Sequence, residues 1–191
     1  MASLHLVGAF SDVNQAKQLA TDIGGHLLCD ERGDTSHLPY AALVLGVTDD
    51  RAALSSADVG TYLVCERVIK SRQASPDAAS KLPGVVGVFT MVARPGLTHT
   101  ESDSHWRDNH APLALEVHLA MSNYRQLSIM HCFNGPDWDG FALCGFESEE
   151  DLRERFFATP EGRQAIAEDV AKFADPKSPR RIIATEYAYA S

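Results

Sequence analysis

Nowhere in the 191 residues does an apolar stretch approach the ~18 residues that a membrane-spanning helix needs. The first residues, Met1 to Val7, have neither the basic start nor the long apolar run of a secretory signal, so the expected location is the cytoplasm and no membrane partner is expected. Clustered Lys and Arg are missing too. The formal charge is −9 and is spread over both halves, which leaves no footprint for phosphate backbones and argues against nucleic acid or an acidic lipid surface as partner. There are 4 cysteines, Cys29, Cys65, Cys132 and Cys144. Each sits in an apolar run without CxxC spacing, so reduced core thiols are expected rather than disulfides or a metal site. The chain lacks G-x-S-x-G, a P-loop, G-x-G-x-x-G and H-E-x-x-H, and its 8 histidines are scattered without metal-ligand spacing. Neither metal nor cofactor is therefore expected. With 45% apolar and 23% charged residues, the composition is that of a globular chain able to build one large core or two small ones.

The order of elements is legible from periodicity. Residues 4–9 are a short apolar strand, and Val13, Ala16, Leu19, Ala20 and Ile23 recur at helical spacing until Gly24-Gly25 stops them. Residues 26–29 and 40–47 are extended, 50–56 suggest a short polar helix, and 61–69 form a β-branched strand. Residues 70–83 have little apolar pattern and are rich in Ser, Ala, Lys and Pro, as a linker would be. A strand at 85–93, a helix from Thr98 to about Met121, strands at 124–132 and 141–146, capped helices starting near Ser148 and Thr159, and a strand at 181–189 complete the chain. The order β-α-β-β-α-β thus occurs twice. The fold class expected is α+β, with tandem ferredoxin-like units at 1–75 and 85–191 joined by a linker at 76–84. A four-stranded sheet with helices on one face must cover the other. Two such sheets packing within one chain would make a barrel-type pseudo-dimer. The alternative is that each half pairs with its equivalent in a second chain, giving a homodimer.

The chemistry concentrates between residues 94 and 113. Thr98 and Glu101 have the spacing of a capping box that starts a helix. Trp106 and His110, at i and i+4, stack on one face of it, and Pro112 removes a backbone donor, predicting a kink or break that frees the carbonyl of Asp108. Imidazole titrates near neutral pH, so His110 is the candidate acid or base. Its competing role is to cap the freed carbonyl. Trp106 is expected to form cavity wall or core, and His105, about 100° around the helix, to lie at the surface. On the strand at 124–132, Tyr124, Gln126 and Ser128 share one face and Arg125, Leu127 and His131 the other. If the Tyr124 face meets the helices, Tyr124 and Gln126 look toward His110 across a pocket suited to a small aromatic ligand. Otherwise His131 is the nearer partner.

Trp106, three residues, then His110-Ala111-Pro112-Leu113 on a first helix resembles the EthD family of dimeric α+β barrel proteins. Tyr124 at the start of the second strand and Asp139-Gly140 before the third extend the resemblance from Val85 to the C-terminus. The chain departs from the family pattern at Ser102 and Asp103, where relatives place an aromatic and a second histidine, so Asp103 stands where that histidine would act. The resemblance implies a cofactor-independent lyase-type enzyme, a decarboxylase, dehydratase or cyclase, acting on a small hydrophobic, aromatic or polyketide-like compound. In it His110 does acid/base work helped by Tyr124, with Trp106, Asp103, Gln126 and His131 contacting substrate. A non-catalytic small-molecule binding protein and a cofactor-free oxygenase are the competing readings.

Overall fold

The structure is a computed structural model that describes residues 3–46, 54–72 and 81–189. Among the described residues eight strands and their helices follow in order: β1 (Ser3–Phe10), α1 (Val13–Ile23), β2 (His26–Cys29), β3 (Ala42–Gly46), β4 (Gly60–Lys70) and β5 (Val85–Met91) come first. Then follow α2 (His99–His105), a π-helical turn (Trp106–His110), α3 (Ala111–Val117), β6 (Met121–Asn134), β7 (Gly140–Phe146), α4 (Glu149–Glu154), α5 (Pro160–Phe173) and β8 (Ile182–Ala188). The strand boundaries fall within a few residues of those the periodicity predicts. Most of the expected helix at 50–56 lies outside the described residues, as does most of the expected linker.

Local chemistry fixes the helix ends. Asp12 accepts the N–H of Gln15 at the start of α1, and Gly24 closes it in the left-handed region at φ 67°, a conformation that costs glycine nothing. The Thr159 hydroxyl accepts the N–H of Gly162 at 3.0 Å at the head of α5, where Pro160 occupies the first turn.

All strand pairs are antiparallel and close a barrel in the order β1-β3-β2-β8-β5-β7-β6-β4. Within it, β4-β1-β3-β2 and β8-β5-β7-β6 are two quartets with the same internal order, one from each half of the chain, joined by β2 to β8 and β4 to β6. The barrel therefore closes within a single polypeptide. Its interior is filled: Val7, Leu43, Tyr62, Val88, Leu127, Phe141 and Ile182 are fully buried, and the Trp138 ring stacks on Tyr62 with centroids 5.7 Å apart. Helix α1 covers the first quartet and α2 to α5 cover the second. Space remains between the second sheet and its helices.

Candidate functional site

The expected capping box forms. Thr98 Oγ1 accepts the Glu101 N–H at 3.2 Å, and Glu101 Oε2 accepts the Thr98 N–H at 2.8 Å. Of the kink or break expected at Pro112, the outright break does not form, and the irregularity is a change of helical spacing. Over Trp106–His110 the helix widens to π spacing, with the Ala111 N–H reaching the Trp106 carbonyl. This seats Pro112 in the first turn of α3, where a missing N–H matters least. Trp106 and His110 both turn inward, 2% and 9% exposed.

Among the described residues His110 caps no backbone carbonyl. Its Nδ1 lies 3.0 Å from Asp169 Oδ2, while His105 Nε2 lies 2.8 Å from the other oxygen of the same carboxylate. His105 is thus not the free surface residue expected from the helical wheel; it is half-buried, with its ring stacked on Phe173 at 5.3 Å. Burial pushes the His110 imidazole below its ordinary value, outweighing the upward pull of Asp169. Burial also raises Asp169, but hydrogen bonds from His105 and His110 more than offset it and hold the carboxyl below its usual range. A carboxylate that accepts at Nδ1 fixes the proton there. The Nε2 lone pair of neutral His110 then has no hydrogen-bond partner among the described residues.

Around Trp106 a polar relay runs from the N-terminal half of the chain. Arg67 on β4 grips Asp103 through two bonds of 2.7 and 2.6 Å, lays its guanidinium 5.4 Å from the centre of the Trp106 ring, and donates from Nε to Gln126 Oε1 at 3.1 Å. Gln126 in turn donates to the Trp106 carbonyl and to the Tyr124 hydroxyl, at 3.1 and 3.0 Å, and the indole N–H donates to the same hydroxyl at 3.1 Å. The phenol oxygen therefore accepts twice and keeps its own proton to give. Burial pushes the Tyr124 pKa far up, so it stays a neutral donor. Gly140 permits this packing: a Cβ there would lie 2.7 Å from the indole and 2.8 Å from the Leu127 carbonyl. Beside it Asp139 accepts from His99 at 2.8 Å and from the Ala93 N–H at 2.6 Å.

His110, Tyr124 and Trp106 line a cavity of about 370 Å³ between the sheet and its helices. Its walls are chiefly Phe89, Ala114, Ala142, Phe156, Phe157, Ile166, Val170 and Phe173, which suits it to a small apolar ligand. The Tyr124 face of β6 is the one that meets the helices, while Leu127 and Ile129 point into the barrel. Three expected contacts are placed elsewhere. His131 is exposed and packs edge-on against Phe133 at 4.7 Å, because the pairing of β6 with β4 shifts register between Ile129 and His131 and breaks the alternation of faces. Asp103 and Gln126 sit behind Trp106, outside the cavity lining, and reach it through Arg67 and Tyr124.

Sequence reasoning missed Asp169, Arg67 and His118. Asp169 carried a signal: it interrupts the apolar stripe of Ile166, Val170 and Phe173 on α5, and an acid on a buried stripe needs a partner. His118, 4% exposed, ends α3 at the cavity wall with Nδ1 bonded to the Phe156 carbonyl at 2.6 Å, and burial lowers its pKa. Among the described residues no three His, Cys, Asp or Glu side chains are placed to hold a metal ion, and no helix is long and apolar enough to cross a membrane.

An eight-stranded antiparallel α+β barrel, with a cavity under the outer helices of one quartet, defines the structural class. Residues 94–177, a little under half of the chain, match the family described as EthD domain, and the matched span contains Trp106, His110, Tyr124 and Asp169. Among solved structures, an anthrone oxidase-like protein superposes with a TM-score of 0.59 at 10% identity, covering 100% of this chain and 92% of that one. A protein from Lactobacillus acidophilus NCFM, provisionally named a monooxygenase, superposes with a TM-score of 0.52 at 8% identity, covering 98% and 96% of the two chains. At these identities the likeness is one of fold. No curated protein matches the sequence.

Proposed function

We propose that this chain is an enzyme that abstracts a proton from a small aromatic or polyketide-like compound held in the outer cavity, without a bound cofactor. His110 is the base, Asp169 fixes its tautomer, and Tyr124 donates to the substrate oxygen on which negative charge develops. The observation that carries this reading is the pairing of His110 Nδ1 with Asp169 at 3.0 Å on the wall of an apolar cavity. A depressed imidazole pKa keeps the base neutral at working pH. The same first step serves two outcomes. Elimination, decarboxylation or ring closure follows if the carbanion reacts within its own molecule. Oxidation follows if it meets dioxygen, and the names of the two structural neighbours favour this second course. Asp103, Arg67 and Gln126 act as positioning residues behind Trp106 and Tyr124. We also propose that residues 1–75 and 85–191 are tandem ferredoxin-like units joined at 76–84, a reading supported by the identical strand order of the two quartets.

Anthrone, whose ring CH₂ is acidified by its carbonyl, is a suitable probe. Exchange of that CH₂ in D₂O, followed by NMR under nitrogen, should accelerate with the protein and lose that acceleration in His110→Asn. In air, uptake of one dioxygen per anthraquinone and water formed marks the oxidative course. Exchange without dioxygen uptake marks the lyase course. Tight binding of anthrone with no exchange by the wild type would replace the catalytic reading with that of a binding protein.

A further inference from the structure

Phe156 and Phe157, on the wall of the main cavity, also line a second hollow of about 160 Å³. Its other walls are Leu152, Arg153, Glu154, Arg163 and Arg181. The guanidinium of Arg163 lies 5.2 Å from the centre of the Phe157 ring, and that of Arg181 lies 5.7 Å from the centre of Phe89, so both cations rest on rings that enclose the main cavity. Arg153 is held by Glu149 at 2.6 Å. The guanidinium groups of Arg163 and Arg181 make no hydrogen bond or ion pair with any described residue, although Glu154 is in the lining.

That arrangement is unusual in a chain of net charge −9. Arg181 is half-buried, burial works against its charge, and the next influences on it, from Arg153 and Arg32, are repulsive as well. Cations withdrawn from water are ordinarily paired. The half-buried Arg181 leaves its fork of donors open, with the exposed Arg163 beside it in the same hollow, and a guanidinium offers bidentate geometry suited to a carboxylate.

We propose that this hollow is the anion subsite of the main cavity, and that the ligand is an aromatic acid whose rings lie among the phenylalanines while its carboxylate is taken by Arg163 and Arg181. This rests on the cavity being the ligand site and adds the charge class of what fills it.

Calorimetric titration of the whole protein with 2-naphthoate and with its neutral isostere 2-naphthamide tests it. The acid should bind ~10-fold or more tightly than the amide, a difference of ~1.4 kcal/mol, and its advantage should shrink as salt is raised. Arg163→Gln combined with Arg181→Gln should abolish the advantage and leave amide affinity unchanged. If that pair fails to fold, Arg163→Gln alone should reduce the advantage. Equal affinity of the two probes for the wild type, or equal loss of both in a folded variant, would overturn the subsite while leaving the cavity as the ligand site. Binding of neither probe would overturn the cavity reading and the subsite with it.

Discussion

The two quartets of the barrel share a strand order yet carry their helices differently. On the first, α1 lies directly on the sheet: Ala16 and Ala20 are fully buried against Phe10, Leu27 and Val44, small side chains allowing close approach. On the second, Trp106, Phe156, Phe157 and Phe173 stand between sheet and helices, and a cavity of about 370 Å³ opens among them. The same framework thus yields a packed face and a hollow one. What decides is side-chain size at the helix–sheet contact, together with a π-helical turn that points Trp106 and His110 inward.

The largest expected effect lies on the hollow face. On any compound the protein turns over, His110→Ala and His110→Asn should each lower kcat/KM by ~10² to 10⁴-fold with a cooperative fold retained, because an amide can hold a hydrogen bond but exchanges no proton near neutral pH. Wild-type turnover by His110→Asn would make the hollow face a binding site only.

Next comes the seam where the quartets join. Glu186 on β8 is 3% exposed and is gripped by Arg125 and, at 2.6 Å, by Arg72, with His26 at 3.7 Å. Burial alone would raise its pKa, but these partners hold it down at about 2. A depressed carboxylate stabilises the fold fully above its unfolded pKa, ~4.3, and the contribution fades as pH falls from there toward 2. Glu186→Gln removes the carboxylate that pairs with Arg72 and one of the two that pair with Arg125, and should cost ~1.5 to 3 kcal/mol in urea unfolding at pH 7. A cost below ~1 kcal/mol would mean that the barrel is held by its apolar interior alone.

The smallest effects give the sharpest contrast between the faces. Ala16→Leu should overpack α1 and cost ~1 to 3 kcal/mol of stability. Ala114→Leu, projecting into the cavity, should cost less than that in thermal unfolding while weakening binding of an aromatic probe. Equal destabilisation by the two would erase the distinction.

Much of this was legible in the sequence. Period-two and period-3.6 patterns placed every strand, Gly24 and the Thr98–Glu101 pair marked real helix ends, and Trp106, His110 and Tyr124 do line one cavity. What escaped was whatever depends on long-range closure. Arg67 reads as an ordinary strand residue until β4 pairs with β6 and brings it to Asp103. Arg153, Arg163 and Arg181 are too far apart in sequence to register as a basic cluster, and only folding gathers them. The proline at 112 predicted a kink or break in a helix running on to about Met121, and the form the irregularity takes, a π turn that seats the proline in a fresh first turn, was not legible.

The central claim is that His110 is a neutral base whose proton sits on Nδ1, and ¹⁵N-detected NMR titration of labelled protein measures this directly, the His110 signals being identified by their absence in His110→Asn. The account predicts an Nδ1–H tautomer at pH 7 and a midpoint below the ordinary 6.5, falling further in Asp169→Asn as the carboxylate's upward pull is removed. A midpoint at or above 6.5, or an Nε2–H tautomer, would contradict it.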